Sequence, residues 1–124
     1  MTTVQRAAQI LGWVFILVGV VGMFYSYTLE MNLMLGLFPV NVVHNLFHIL
    51  LGLWGISASK SFASAKSYAT IAGLLYVVLA VVGYLEPNPS DMLPLGGNDV
   101  WLHAVLGLLL LGIGLTARPK AVIA

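Results

Sequence analysis

Three histidines and one aspartate are the residues whose types and spacing suit chemistry. His44 and His48 stand four apart in V-N-V-V-H-N-L-F-H-I-L-L-G, and Asp99 and His103 stand four apart in N-D-V-W-L-H-A-V-L-G. That spacing puts each pair on one face of a helix. Three imidazoles and a carboxylate are a donor set for zinc or another divalent transition metal. Helical bundles build such centres from histidine and carboxylate pairs on facing helices. Asn41, Asn45 and Asn98 are placed to orient the ligands by hydrogen bonding. His48 and His103 alone, on two helices at matched depth, form a second candidate set: the axial ligands of a haem or other pigment. Such a group would be held non-covalently, because the chain has no cysteine.

A purely structural reading competes with both. His44 and Asp99 open helices, where the dipole favours an acidic group. Asn41 and Asn98 read as N-caps. His48 and His103 then hydrogen-bond each other, or tie helices together through Asn45. Tyr76 is the main hydroxyl at mid-helix, and a backbone partner is expected for it. Met31, Met34 and Met92 carry soft thioethers that suit copper(I), although packing at an interface is the simpler account. Glu30 and Asp91 read as solvated loop charges.

The elements that must position these residues are transmembrane. The 124 residues are 60% hydrophobic and 7% charged, against about 25% charged in a soluble domain. Lipid must therefore be the solvent for most of the chain. A helix crosses the hydrocarbon with roughly 20 apolar residues. Four segments qualify, at about 8–25, 42–58, 68–85 and 100–117, the second being short. The apolar run from Ala7 to Tyr25 is longer than the core of a signal peptide and reads as a retained helix. Ser57 to Lys66 reads as a small-residue loop, and Leu29 to Leu37 as a short interfacial helix. Glu86 to Asp99 holds Pro87, Pro89, Pro94, Gly96 and Gly97, so no continuous helix fits there.

Charge sets the topology. Arg6, Lys60, Lys66, Arg118 and Lys120 fall at one end of the four helices, and Glu30, Glu86, Asp91 and Asp99 at the other. The positive-inside rule places the basic end, and both termini, in the cytoplasm. Trp101, Tyr25, Tyr27 and Tyr84 mark an aromatic belt at the outer end, with Tyr68 at the inner one. The few scattered basic residues leave no nucleic-acid surface.

The two halves resemble each other. A shift of 61 carries Gly12, Gly19 and Gly22 onto Gly73, Ala80 and Gly83, and a shift of 55 carries Pro39, His44, His48 and Gly52 onto Pro94, Asp99, His103 and Gly107. The expected architecture is an all-α integral membrane four-helix bundle, one domain over 1–124, made of two parallel two-helix repeats at about 6–58 and 66–117. The glycine stripes serve close helix packing, which drives association where lipid supplies little hydrophobic force.

The segment Val40 to Gly52 resembles a family of small bacterial membrane proteins, the domain of unknown function 4383. The family pattern V-N-x-x-H-N-x-x-H-x-x-x-G is met there, and D-x-x-x-H-x-x-x-G is met by Asp99, His103 and Gly107. The resemblance covers roughly Arg6 to Ala117. It implies a four-helix protein of the bacterial inner membrane with a role for these histidines, and no assigned activity.

No nucleophile–base pair, phosphate loop or soluble domain stands in the sequence, so no enzyme is expected. The leading expectation is a small accessory subunit or homo-oligomer with an outer-leaflet His/Asp cluster at His44, His48, Asp99 and His103. The alternatives are a redox or metal-handling protein using those residues, and a small transporter or channel subunit. The apolar inner halves of the helices argue against the last.

Overall fold

The computed structural model describes residues 1–28, 33–34, 38–39, 41–86 and 96–119. Glu30, Met31, Pro87, Pro89, Asp91, Met92, Pro94 and Lys120 lie outside the described residues. Four helices carry the architecture: α1 (Thr3–Met23), α2 (Val42–Ala58), α3 (Phe62–Leu85) and α4 (Asn98–Thr116).

The helices outrun their apolar windows because side chains cap them. Thr2 and Gln5 form a capping box that starts α1, satisfying backbone donors that a helix leaves open. Ser61 accepts from the Ser64 N–H and starts α3 at Phe62, six positions before the expected start. The expected loop over Ser57 to Lys66 is thus reduced to a tight turn between Ala58 and Phe62. At its far end α1 passes into a π-helical turn, Phe24–Thr28. α3 stops at Glu86, whose extended backbone is what a following proline demands.

The expected interfacial helix over Leu29 to Leu37 is not what its described residues adopt. Leu33–Met34 forms a strand, β1, antiparallel to β2 at Phe38–Pro39. An isolated helix of fewer than about 12 residues is marginal.

α1 packs along α2 and α3 along α4, and the two hairpins meet chiefly through α1 and α3. Glycines set the approach. A methyl group on Gly12 would sit 2.8 Å from the Gly52 carbonyl oxygen, and one on Gly107 would sit 3.0 Å from that of Gly73. The first hairpin closes with Gln5 Nε2 donating to Ser59 O at 3.1 Å. The second closes with Lys66 Nζ donating to Gly114 O at 2.5 Å. Gln5 and Lys66 are 61 apart, and Ser59 and Gly114 are 55 apart.

The buried stripes follow the same offsets. α1 buries Val4, Ala8, Gly12, Phe15, Gly19 and Gly22. Each has a buried counterpart 61 residues on in α3: Ala65, Ala69, Gly73, Tyr76, Ala80 and Gly83. In α2, buried His44, His48, Gly52 and Gly55 correspond to buried Asp99, His103, Gly107 and Leu110 in α4.

The outer surface is apolar. Trp13, Leu17, Leu50, Leu74, Leu108 and Leu115 are among its exposed side chains, as expected where lipid covers the protein. α1 with its π turn, α3 and α4 are each long and apolar enough to cross a membrane, and α2 is apolar but has 17 residues. Tyr84 and Trp101 are exposed, in keeping with an interfacial belt. Tyr68 is not part of such a belt. It is fully buried, packs edge-on against Trp54 at 4.8 Å, and donates to the Leu51 carbonyl oxygen at 3.1 Å.

Candidate metal centre

The cluster begins with how two helices start. Asn41 Oδ1 accepts from the His44 N–H at 2.8 Å, an N-cap that fixes the phase of α2. His44 and His48 then project from one face, one turn apart, with ring centroids 4.5 Å apart. α4 starts differently. Gly97, at φ 66°, is its N-cap and supplies no side-chain bond, and this left-handed backbone is open to glycine at little cost. Asn98 is therefore the first helical residue rather than the expected cap, and its Oδ1 accepts from Trp101 Nε1 at 3.1 Å. Asp99 follows in the first turn and His103 one turn later.

These side chains converge. His44 Nδ1 lies 4.0 Å from Asp99 Oδ2, and the His44 and His103 rings meet edge to face at 6.1 Å. One nitrogen each from His44, His48 and His103 lies within 4.8 Å of the others. All four residues are at most 9% exposed, so the cluster lies inside the bundle. The backbones of α2 and α4 are not among the closely packed pairs. The long imidazole side chains bridge the gap between them.

Two aromatic rings, from α1 and α3, floor the cluster. Phe15 stacks on His48 at 6.0 Å and 7°, and Tyr76 lies against His103 at 5.1 Å. The two rings stack on each other at 5.5 Å. Phe15 and Tyr76 are 61 apart, so each hairpin sets an aromatic ring against its deeper histidine.

Several polar atoms here have no hydrogen-bond partner among the described residues: His48 Nδ1, His103 Nδ1, Asp99 Oδ2, Asn45 Oδ1 and the Tyr76 hydroxyl. Each such buried atom costs about 1–3 kcal/mol, and native interiors rarely leave them so. The Nδ1 atoms of His48 and His103 make no hydrogen bond to each other among the described residues. Asn45 does link helices, but α2 to the π turn that continues α1 rather than to α4. Its Nδ2 donates to Ser26 Oγ at 3.1 Å, and its side chain occupies the space a side chain at Gly22 would need. The backbone partner expected for Tyr76 is not found among the described residues either. Tyr76 is thus a cluster member that sequence spacing did not single out. The one available signal was its replacement of Phe15 under the 61-residue shift.

An apolar helical bundle enclosing a cluster of three histidines and an aspartate defines a helical membrane protein with a buried polar centre. The chain matches the family described as Domain of unknown function (DUF4383) over residues 5–116 and belongs to it. No curated protein and no solved structure matches the chain.

Proposed function

We propose that the protein is a non-enzymatic, four-span protein of the bacterial inner membrane whose His44, His48 and His103, with Asp99 beside them, hold one divalent transition-metal ion of the zinc class. The observation that carries this reading is the mutual approach of three imidazole nitrogens to within 4.8 Å, drawn from both hairpins. Tetrahedral ligands at about 2.1 Å from zinc stand roughly 3.4 Å from one another, a contraction within reach of small side-chain rotations. Asp99 lowers the net charge of a site that lipid surrounds. Haem fits less well, because a macrocycle would have to part Phe15 and Tyr76, stacked at 5.5 Å.

Both termini lie on the cytoplasmic side in this reading. Arg6, Lys60, Lys66 and Arg118 share the end of the bundle where the Gln5–Ser59 and Lys66–Gly114 bonds close the hairpins, and basic residues are retained inside. α2 crosses back because α1 and α3 both begin at that end. The bundle is a duplication of one hairpin, supported by the matched glycine crossings, hairpin-closing bonds and buried stripes. Its exposed apolar flanks suit an accessory subunit of a larger membrane complex, or a homo-oligomer.

The test is elemental analysis of gently solubilised protein after exposure to Zn(II) and removal of excess. One equivalent per chain is expected, with loss of the metal in His48→Ala and His103→Ala. Circular dichroism on each variant separates loss of a ligand from loss of the fold. A folded wild-type protein that retains no metal would rule the reading out.

A further inference from the structure

The cluster departs from its own repeat at two positions. Under the 61- and 55-residue shifts, Phe15 becomes Tyr76 and His44 becomes Asp99. Both changes fall in the second hairpin, and both bring a side-chain oxygen to the cluster. Packing does not require the hydroxyl. Phe15 stacks on His48 with a bare ring, so the ring of Tyr76 would fill its place against His103 without the hydroxyl. Yet that hydroxyl is fully buried and has no hydrogen-bond partner among the described residues. Tyr68, equally buried in the same helix, does have one, the Leu51 carbonyl oxygen. Asp99 Oδ2 also has no hydrogen bond among the described residues, stands 4.0 Å from His44 Nδ1, and lies outside the close group of three nitrogens.

We infer that the three histidines alone hold the metal firmly, and that the remaining coordination position carries a small exchangeable oxygen ligand, water or hydroxide, between Tyr76 and Asp99. The inference rests on the metal reading above. A tyrosine hydroxyl that donates and a carboxylate that accepts match the two hydrogen-bonding faces of such a ligand. Three protein nitrogens leave a tetrahedral zinc one position for an exchangeable ligand, which a closed four-ligand structural site lacks. The second hairpin thus supplies a ligand-binding side, and the first supplies a metal-holding side. Small anions that coordinate metals compete for the position.

Cobalt(II) reports the outcome, because its visible spectrum depends on coordination. Co(II)-loaded protein in detergent is titrated with azide. A saturable change in the visible bands is expected. Tyr76→Phe should keep one cobalt per chain and the same fold, because the aromatic ring is retained, while azide binding weakens by about tenfold through the lost hydrogen bond. A cobalt spectrum that azide leaves unchanged overturns the open position while leaving the metal site standing. Unchanged azide affinity in Tyr76→Phe overturns the assignment of the hydroxyl. Protein that binds no cobalt overturns this inference and the metal reading together.

Discussion

His48 and His103 sit one turn deeper than His44 and Asp99, each backed by an aromatic ring. Depth decides what each substitution does. Replacing His48 or His103 removes a ligand from the centre of the cluster, so His48→Ala and His103→Ala are expected to lower metal affinity by at least a hundredfold, measured by competition with a chromophoric chelator. Asp99→Asn retains the shape and removes the charge. It should leave stoichiometry at one and weaken affinity by a smaller factor, because a neutral site holds a dication less well in a lipid surround. Tyr76→Phe acts on stability as well. In the metal-free protein it removes a buried hydroxyl that has no partner among the described residues. The thermal midpoint should then hold or rise, by the equivalent of about 1 kcal/mol, as read by circular dichroism.

At the scale of the element, the hairpins depend on glycine crossings. Gly12 against Gly52, and Gly73 against Gly107, bring backbones into contact where a methyl group would meet a carbonyl oxygen or amide. Substituting Leu at Gly52 or Gly107 forces the helices apart. The expected loss is about 1–3 kcal/mol or more, visible as a lower thermal midpoint in micelles, and metal binding should weaken with it because the histidines follow their helices. Gly112, where a side chain would meet nothing within 4 Å, is the matched control: Gly112→Leu should leave both unchanged. Lys66 acts from one helix on another, donating to the carbonyls of Gly114 and Ala117 at the end of α4. A cation is favoured at that pole of a helix, and Lys66→Met should destabilise the second hairpin by about 1 kcal/mol.

The whole molecule joins two hairpins through a centre that neither contains alone: His44 and His48 belong to the first, Asp99 and His103 to the second. Residues 1–60 and 61–124 expressed together are expected to associate and restore the one-equivalent metal stoichiometry, while neither half binds metal by itself. Retained binding in an isolated half would contradict the shared centre. Orientation is open to direct labelling, because the chain has no cysteine of its own. With both termini inside, a membrane-impermeant maleimide applied to intact cells should modify Glu86→Cys and spare Lys60→Cys. The reverse pattern would invert the topology.

Membrane class, four helices and the family pattern are all legible in the sequence, because each rests on local quantities: apolar run length, the separation of basic from acidic residues, and a short motif spaced along one helix. The span of α2 at 42–58 matches the observed helix because Asn41 caps it and the polar turn follows it at once. The starts of α1 and α3 were less legible, since Thr2 and Ser61 extend the helices past the apolar runs that hydropathy detects. The i, i+4 pairs identified four of the cluster residues but left their meeting undecided, as spacing along a helix says nothing about the distance between helices. The tertiary structure decided that. Glycine crossings set how closely each hairpin closes, and the contact of α1 with α3 sets how far apart α2 and α4 stand. Only the resulting gap, spanned by imidazoles and floored by Phe15 and Tyr76, turns four separate polar residues into one buried centre and brings the Tyr76 hydroxyl into it.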